Sequence, residues 1–526
     1  MAESELLSLN EAVRRRARDV HSDKTFIREA DGGRRLSYSQ CDREADHWAG
    51  LLSLYGVDAG QNVAVMAPTS ADWVTAWMGI NLLGARCVGI NTLYRGRMLG
   101  YVLDQSRCEV VITSREFLER IEEISGALEN MRHIVVLEDC AVKVAALSTA
   151  APEQSLPTPD RTQEYGITYT SGTTGPSKGV IVTWTALSKL WSNGLPPDEL
   201  TEDDVLYIPF PLNHVGGSGG VHTAALKGAE VVLRRKWSTD EFWNDIRRFG
   251  ATATMLVGSM ASFLLKRPPR ADDADNTLRI ASVVPLPSDI EAFEDRFGLR
   301  IFTFFAMTET STAIHSELSP SLPGSCGRCR EGYRVRIVDD DGADCPPGVP
   351  GELWVRADDP LVMMQGYFDM PEATAAAWHE GWFRTGDMLR CDEDGNYFFV
   401  DRKKDALRRR GENISSSEIE VEVDAHPLVR DSAAIGVPSE FGEDEVMVYV
   451  ELQPGAVLDP VELVAFLRER MPSFMVPQHI EYVDELPRTP ATGKVEKQQL
   501  RERGVTAATW SAPTPTRSGK ALTWPR

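Results

Sequence analysis

Several large protein classes are excluded by what this sequence lacks. Nothing in its 526 residues approaches the run of ~18 apolar residues that a membrane-spanning helix needs. Basic residues are outnumbered, with 56 Lys and Arg against 78 Asp and Glu and a formal charge of −22. A protein that coats nucleic acid displaces counterions with a basic face, so this balance argues against nucleic acid as a partner. The eight cysteines are sparse for the length and show no disulfide-framework spacing, which suits a reducing, cytoplasmic address. The one C-x-x-C, Cys326-Gly-Arg-Cys329, has no second pair to complete a zinc ribbon. The basic stretch Ala12-Val-Arg-Arg-Arg-Ala-Arg-Asp19 is preceded by Glu3, Glu5 and Glu11 and no apolar signal core follows it, which argues against a targeting peptide. There is no repeat at a solenoid period.

What is present reads as an ordinary globular protein, 42% hydrophobic and 25% charged, and long enough for two or more domains. From Gln61 short apolar runs (63–66, 87–90, 109–113, 133–137) alternate with amphipathic stretches such as 71–83, the rhythm of βαβ units. Residues 140–161, rich in Ala, Pro and Ser, read as a loop. Further strands are expected at 205–210, 230–234, 253–257, 278–284 and 300–305, with helical spacing at 239–248 and 288–297. Two α/β sheets follow for the first part of the chain. Between 329 and 400 Gly and Pro turns separate β-rich runs, and a small barrel or distorted sheet is expected. After the charged segment 401–410 come a helix (416–425), strands (432–436 and 445–452), a helix (460–470) and a strand (479–483), a compact α+β unit. The expected division is 1–403, 404–510 and a disordered tail from 511 to 526.

The most informative stretch is Tyr169-Thr-Ser-Gly-Thr-Thr-Gly-Pro-Ser-Lys-Gly179, where hydroxyls alternate with glycines and Lys178 stands at the far end. Glycines let backbone N–H groups converge on an anion, so the loop reads as a phosphate cradle of Thr170, Ser171, Gly172, Thr173, Thr174 and Lys178. The standard nucleotide P-loop register, G-x-x-x-x-G-K-[ST], is not met, because Ser177 precedes and Gly179 follows the lysine. Three more constellations fit nucleotide chemistry. Phe305-Ala-Met-Thr-Glu309 offers a hydroxyl and a carboxylate suited to a phosphate oxygen and a divalent cation. Trp382-Phe-Arg-Thr-Gly-Asp387 presents an acid for ribose hydroxyls, and Asp401-Arg402 a second ribose or phosphate contact. Pro487-Arg-Thr-Pro-Ala-Thr-Gly-Lys494 sets a lysine at the tip of a Pro/Gly loop.

In order and spacing these motifs resemble the adenylate-forming superfamily that contains acyl-CoA synthetases, firefly luciferase and nonribosomal peptide synthetase adenylation domains, over roughly residues 9–501. The Gly366-Tyr367 and Gly381-Trp382 pairs resemble the acyl-CoA synthetase pattern, and Arg409-Arg-Gly-Glu-Asn-Ile-Ser415 resembles a bacterial branch that includes carnitine- and crotonobetaine-CoA ligases. The resemblance implies an α/β protein: a large N-terminal domain of two α/β subdomains and a small β-barrel, hinged at Lys404 to a small mobile α+β C-terminal domain. It implies an ATP-dependent acyl-CoA synthetase, an acid–thiol ligase. Such an enzyme adenylates an organic carboxylic acid, releases pyrophosphate and passes the acyl group to CoA, with ATP, Mg2+ and coenzyme A as cofactors. Lys494 would bridge the carboxylate and the α-phosphate, Glu309 would hold Mg2+ and Thr308 would touch phosphate. His214, in Pro209-Phe-Pro-Leu-Asn-His-Val-Gly-Gly, would gate the carboxylate pocket. Pro285 and Phe305 would border the nucleotide, and Gly411 would admit the pantetheine arm. A homodimer and a separate acyl-acceptor enzyme remain open as partners.

Three positions depart from the family pattern. Phe305-Ala306 stands where Tyr-Gly is usual, Val283-Val284-Pro285 replaces Gly-Ala-Pro beside adenine, and Ser177 takes a proline position. The first two change the walls of the acyl and adenine pockets. Two rivals are kept. In one, a carrier protein or an amine accepts the acyl group. In the other, Gly216-Gly-Ser-Gly-Gly220 is a serine-hydrolase motif around Ser218, set against the reading of its doubled glycines as a loop hugging a ligand.

Overall fold

A computed structural model of the chain describes residues 7–19, 22–147, 155–170, 177–191, 199–265, 267–286, 290–339, 341–402, 406–409, 412–439, 444–487, 495 and 497–513. These fall into two compact units, one up to 402 and one from 406 onward. The first contains three sheets. In the first sheet Asn62–Met66 is central, with the parallel strands Arg86–Gly89 and Val110–Thr113 on either side and His133–Val136 at one edge. On the other side Glu164–Thr170 joins in parallel, then Lys178–Thr183 and Gly366–Tyr367 turn antiparallel. Asn62–Met66 and Val110–Thr113 are buried along their whole length, as strands with both faces covered must be. The helix Ala71–Leu82 is buried on every face, and its start is fixed by Ser70, whose hydroxyl accepts the Trp73 N–H at 3.1 Å. Trp77 on this helix stacks on Trp184 with ring centres 5.4 Å apart.

The second sheet runs, in order, Arg300–Phe302, Ile280–Val284, Ala253–Val257, Val205–Ile208, Glu230–Leu233, Thr25–Glu29 and Arg35–Ser37, parallel except for the last. Thr25–Glu29 lies before the point at which the sequence rhythm becomes legible, and it is recruited by strands some 200 positions away. The third sheet is eight-stranded and antiparallel, in the order Phe304–Met307, Ser311–His315, Ser325–Cys329, Tyr397–Arg402, Trp382–Cys391, Gly351–Ala357 and Tyr333–Val338, with Trp378–His379 paired to the side. It begins well before residue 329. The run expected as one strand at 300–305 is two strands in two sheets. They part at Thr303, whose N–H donates to Ser316 Oγ at 2.9 Å and whose carbonyl accepts the Ser316 N–H at 2.9 Å.

Two other expectations are corrected. Leu137–Leu147 is a helix rather than the start of a loop: Cys140, Ala141 and Val144 recur at helical spacing and are buried. The Gly-rich run 216–220 is likewise helical, inside Val215–Lys227, where tertiary packing outweighs the poor helix propensity of glycine. A Cβ at Gly217 would lie 2.3 Å from the Pro211 carbonyl oxygen, so close backbone approach is what the residue serves.

The second unit has its own core around Ala433, Ile435, Val437, Met447, Tyr449, Leu486 and Leu500. Its sheet runs Val429–Pro438, Asp444–Leu452, His479–Val483 and Trp510–Ser511, so ordered pairing reaches the first residue of the expected tail. The hairpin Ala406–Arg409 with Glu412–Ser415 and the helices Ser416–Asp424 and Pro460–Arg468 complete it. Among the described residues no helix is long and apolar enough to cross a membrane. All eight cysteines carry free thiols.

Candidate active site

The expected phosphate cradle lies in sequence between two paired strands. Glu164–Thr170 and Lys178–Thr183 pair antiparallel, and Thr170 opposite Lys178 is the last register pair before the loop. Ser171, Gly172, Thr173 and Thr174 lie outside the described residues. The root of the hairpin is tight: a Cβ at Gly179 would be 2.7 Å from Ile167 Cγ2 and 3.2 Å from the Tyr169 ring. The Tyr169 hydroxyl donates to Gln105 Oε1, and Gln105 Nε2 donates to the Phe368 carbonyl at 2.6 Å. Tyr101 adds a bond from its hydroxyl to the Ser177 carbonyl at 3.2 Å. The loop therefore leaves from a braced platform.

Gly366–Tyr367 is the edge strand beside Lys178–Thr183, with Tyr367 opposite Val180. This register places the Lys178 ammonium over the Tyr367 ring, 4.7 Å from its centre. The Tyr367 hydroxyl donates to Glu309 Oε1 at 3.1 Å. Burial, and then the neighbouring Glu309 carboxylate, push the Tyr367 hydroxyl well above the ordinary tyrosine range, so it stays protonated and keeps donating. Glu309 and Thr308, each 7% exposed, form the turn between Phe304–Met307 and Ser311–His315. Ser311, at φ 55°, anchors that turn, its single hydroxyl proton shared between the carbonyls of Val362 (2.7 Å) and Ala186 (2.9 Å). The Glu309 carbonyl accepts the Met364 N–H at 2.8 Å. Lys178 and Glu309, 131 positions apart, thus meet on one tyrosine. Their residue types had marked them, whereas Tyr367 carried only a family pattern and no role.

The oxygens of Glu309 and Thr308 are hard donors that fit Mg2+. Among the described residues no three His, Cys, Asp or Glu side chains gather to form a protein cage.

Asp387, 3% exposed, is in Trp382–Cys391, with its Cα directly opposite Arg402 of the next strand. Gly386 reaches φ 71°, which a glycine adopts without strain, and its N–H donates to Glu352 Oε1 at 3.2 Å. The side chain of Arg402, and Lys404, Gly411 and Lys494 altogether, lie outside the described residues. Pro285 follows the strand Ile280–Val284 and packs on Gly258, where a Cβ would be 3.1 Å from the Pro285 carbonyl oxygen. Phe305 is buried on the same hairpin as Glu309, paired with Ile314.

His214 is exposed and caps the helix Val215–Lys227, its Nδ1 accepting the Gly216 N–H at 3.1 Å. An accepting Nδ1 leaves the ring proton on Nε2. Ser218 is buried within that helix, with Oγ donating to the His214 carbonyl at 3.2 Å. A hydrolase elbow instead presents its serine on a sharp strand-to-helix turn, so the geometry does not support the hydrolase reading.

Comparison with known proteins adds relatives to this geometry. The family model described as AMP-binding enzyme matches residues 13–368, and that of the AMP-binding enzyme C-terminal domain matches 418–494. The chain is 31% identical to a crotonobetaine/carnitine–CoA ligase from Salmonella arizonae, over 92% of this chain and 96% of that protein. Among solved structures, an anthranilate CoA ligase in complex with anthranoyl-AMP is 28% identical with a TM-score of 0.70, covering 96% of this chain and 99% of that one. A double mutant of o-succinylbenzoate CoA synthetase from Bacillus subtilis, 23% identical, shares the fold with a TM-score of 0.82, covering 95% of this chain and 99% of that one.

Proposed function

This chain belongs to the AMP-binding enzyme family, and we propose that it is an ATP-dependent acid–thiol ligase that converts an organic carboxylic acid into its CoA thioester through an acyl-adenylate. The observation that carries this is the meeting of Lys178 and Glu309 on Tyr367, beside the mouth of the cradle. A carboxylate acylates poorly because its leaving group would be oxide. In the first half reaction a carboxylate oxygen attacks the α-phosphorus of ATP, the bond to the β-phosphate oxygen breaks, and pyrophosphate leaves. In the second, the CoA thiolate attacks the acyl carbon and AMP leaves.

Each residue has a task in this scheme. Thr170, Ser171, Gly172, Thr173, Thr174 and Lys178 grip the β and γ phosphates through N–H, hydroxyl and ammonium donors. Asp387 receives ribose hydroxyls with Arg402 beside it, and Pro285 and Phe305 border the nucleotide. Mg2+, when bound, neutralises phosphate charge, and Glu309 with Thr308 would hold it. Lys494 bridges the two anions where negative charge gathers. Lys404 is the hinge about which the second unit turns, and Gly411 admits the pantetheine arm. His214, proton on Nε2, gates the carboxylate pocket.

The acid is hydrophobic or bulky rather than acetate, because the expected lining near 213–219, 256–260, 283–286 and 305–312 is mostly apolar or small. The extra methyl of Ala306 narrows or reshapes that pocket, and Val283 and Val284 alter the wall beside adenine. Free CoA is the acceptor, in a cytoplasmic setting; a homodimer and a separate acyl-acceptor enzyme are compatible with this scheme. Pyrophosphate release across a panel of acids, with and without CoA, tests it. Acid-dependent release that CoA accelerates with thioester formation supports it, and release of the acyl group only to a carrier or an amine would replace CoA as acceptor.

A further inference from the structure

We propose that Tyr367 is a positioning residue for adenylation, holding the Mg2+ carboxylate Glu309 by its hydroxyl and the phosphate lysine Lys178 by its ring face; this rests on the roles proposed above for those two residues. Three features of the chain carry it.

The first is fixity. Tyr367 is held by the main chain on both flanks: Gln365 N–H donates to the Ile181 carbonyl at 3.0 Å, and Phe368 N–H to the Gly179 carbonyl at 2.7 Å. The Tyr367 N–H itself donates to Thr374 Oγ1 at 2.9 Å. At 8% exposure the ring is buried on the same platform that launches the cradle. Gly366 permits this entry with φ 135°, a conformation that favours glycine.

The second is the choice of partner. The half-buried Lys178 and the buried Glu309 carry opposite charges beside one tyrosine, and a direct ion pair between them would use up the ammonium needed by phosphate and the oxygens needed by the cation. A tyrosine between them avoids this. Its ring attracts the ammonium through the quadrupole without neutralising it, leaving the lysine's N–H donors available. Its hydroxyl donates to Oε1 of Glu309 and so fixes the carboxylate while adding no charge.

The third is linkage. Both contacts come from one side chain, so the lysine and the carboxylate are set in register with each other. Two charges must be matched to one polyphosphate, and preorganising them removes that cost from nucleotide binding.

Two variants separate the functions of the ring and the hydroxyl. Tyr367→Phe keeps the ring and loses the hydroxyl, whereas Tyr367→Leu loses both. The readout is calorimetric binding of α,β-methylene-ATP to the full chain across a Mg2+ titration. It is accompanied by ATP–pyrophosphate exchange, by thioester formation from supplied acyl-AMP, and by the melting temperature. Tyr367→Phe is expected to raise the Mg2+ concentration for half-maximal binding several-fold while leaving Mg2+-free binding and the thioester step as in the wild type, with a modest fall in melting temperature from the lost buried hydrogen bond. Tyr367→Leu is expected to weaken Mg2+-free binding as well. Glu309→Gln runs alongside. If Glu309→Gln moves the Mg2+ dependence and a folded Tyr367→Phe does not, the positioning role of Tyr367 is overturned while the role of Glu309 stands. If neither moves it, the role of Glu309 is itself overturned and the inference goes with it.

Discussion

Asp387 and Arg402 face one another across adjacent antiparallel strands, their Cα atoms in register, although 15 positions and a turn separate them. The acid is almost fully buried and follows a glycine with positive φ. Asp387→Ala is therefore expected to weaken ATP binding. A hydrogen bond to a charged group is worth about 1.5–3 kcal/mol, so apparent ATP affinity should fall roughly 10- to 100-fold. Calorimetric titration with ATP checks this; unchanged affinity would remove Asp387 from the nucleotide site.

Gly217 and Gly50 give opposite expectations for the same substitution. Both are helical, so Ala should gain roughly 0.8–1 kcal/mol of helix propensity at each. At Gly50 nothing lies within 4 Å of the added Cβ, and Gly50→Ala is expected to stabilise. At Gly217 the Cβ would meet the Pro211 carbonyl oxygen at 2.3 Å and the Phe210 carbonyl oxygen at 3.0 Å, both backbone atoms in the loop leading to His214. Overpacking of about 1–3 kcal/mol outweighs the propensity there, so Gly217→Ala should destabilise and raise the KM for the acid. Urea denaturation of the two variants should shift the midpoint in opposite directions.

Acid should weaken the first unit through His222. This ring is fully buried, 2.8 Å from the Leu7 carbonyl and edge-on to Trp184. Burial pushes its pKa down from 6.5 to about 4, and the bond to Leu7 opposes this only in part. The folded value lies below the unfolded one, so as pH falls below about 6.5 the unfolded chain takes up the proton first. Stability is lost progressively down to about pH 4, on the order of 2 kcal/mol by pH 5. Asp424, in the second unit, is shifted the other way, from 3.8 to about 6, but its side chain is exposed, so solvent screens the effect and no stability change is expected from it. Denaturation at pH 7 and pH 5 checks the first effect: His222→Gln should lose less stability than the wild type over that interval. An equal loss would contradict it.

Much of this was legible in the sequence because it rests on local chemistry. Alternating apolar runs gave the parallel strands, since a strand covered on both faces has to be apolar throughout. The turn at Thr308-Glu309 and the positive-φ glycine before Asp387 are each set by a few neighbouring residues. What escaped depends on distant partners. Thr25–Glu29 is a strand because Glu230–Leu233 offers it an edge. Gly217 sits in a helix because the Pro211 carbonyl packs against it too closely for a Cβ. The switch at Thr303 depends on Ser316, and Tyr367 became a site residue only when edge pairing laid it beside Val180. No local pattern encodes such meetings.

In the proposed scheme the 170–178 loop holds the leaving pyrophosphate while Lys494 serves the adenylation step alone. Lys494→Ala tests it most directly when the half reactions are measured separately, by ATP–pyrophosphate exchange and by thioester formation from supplied acyl-AMP and CoA. Loss of exchange with thioester formation retained near the wild-type rate is the expected result, and equal loss of both steps would contradict the account.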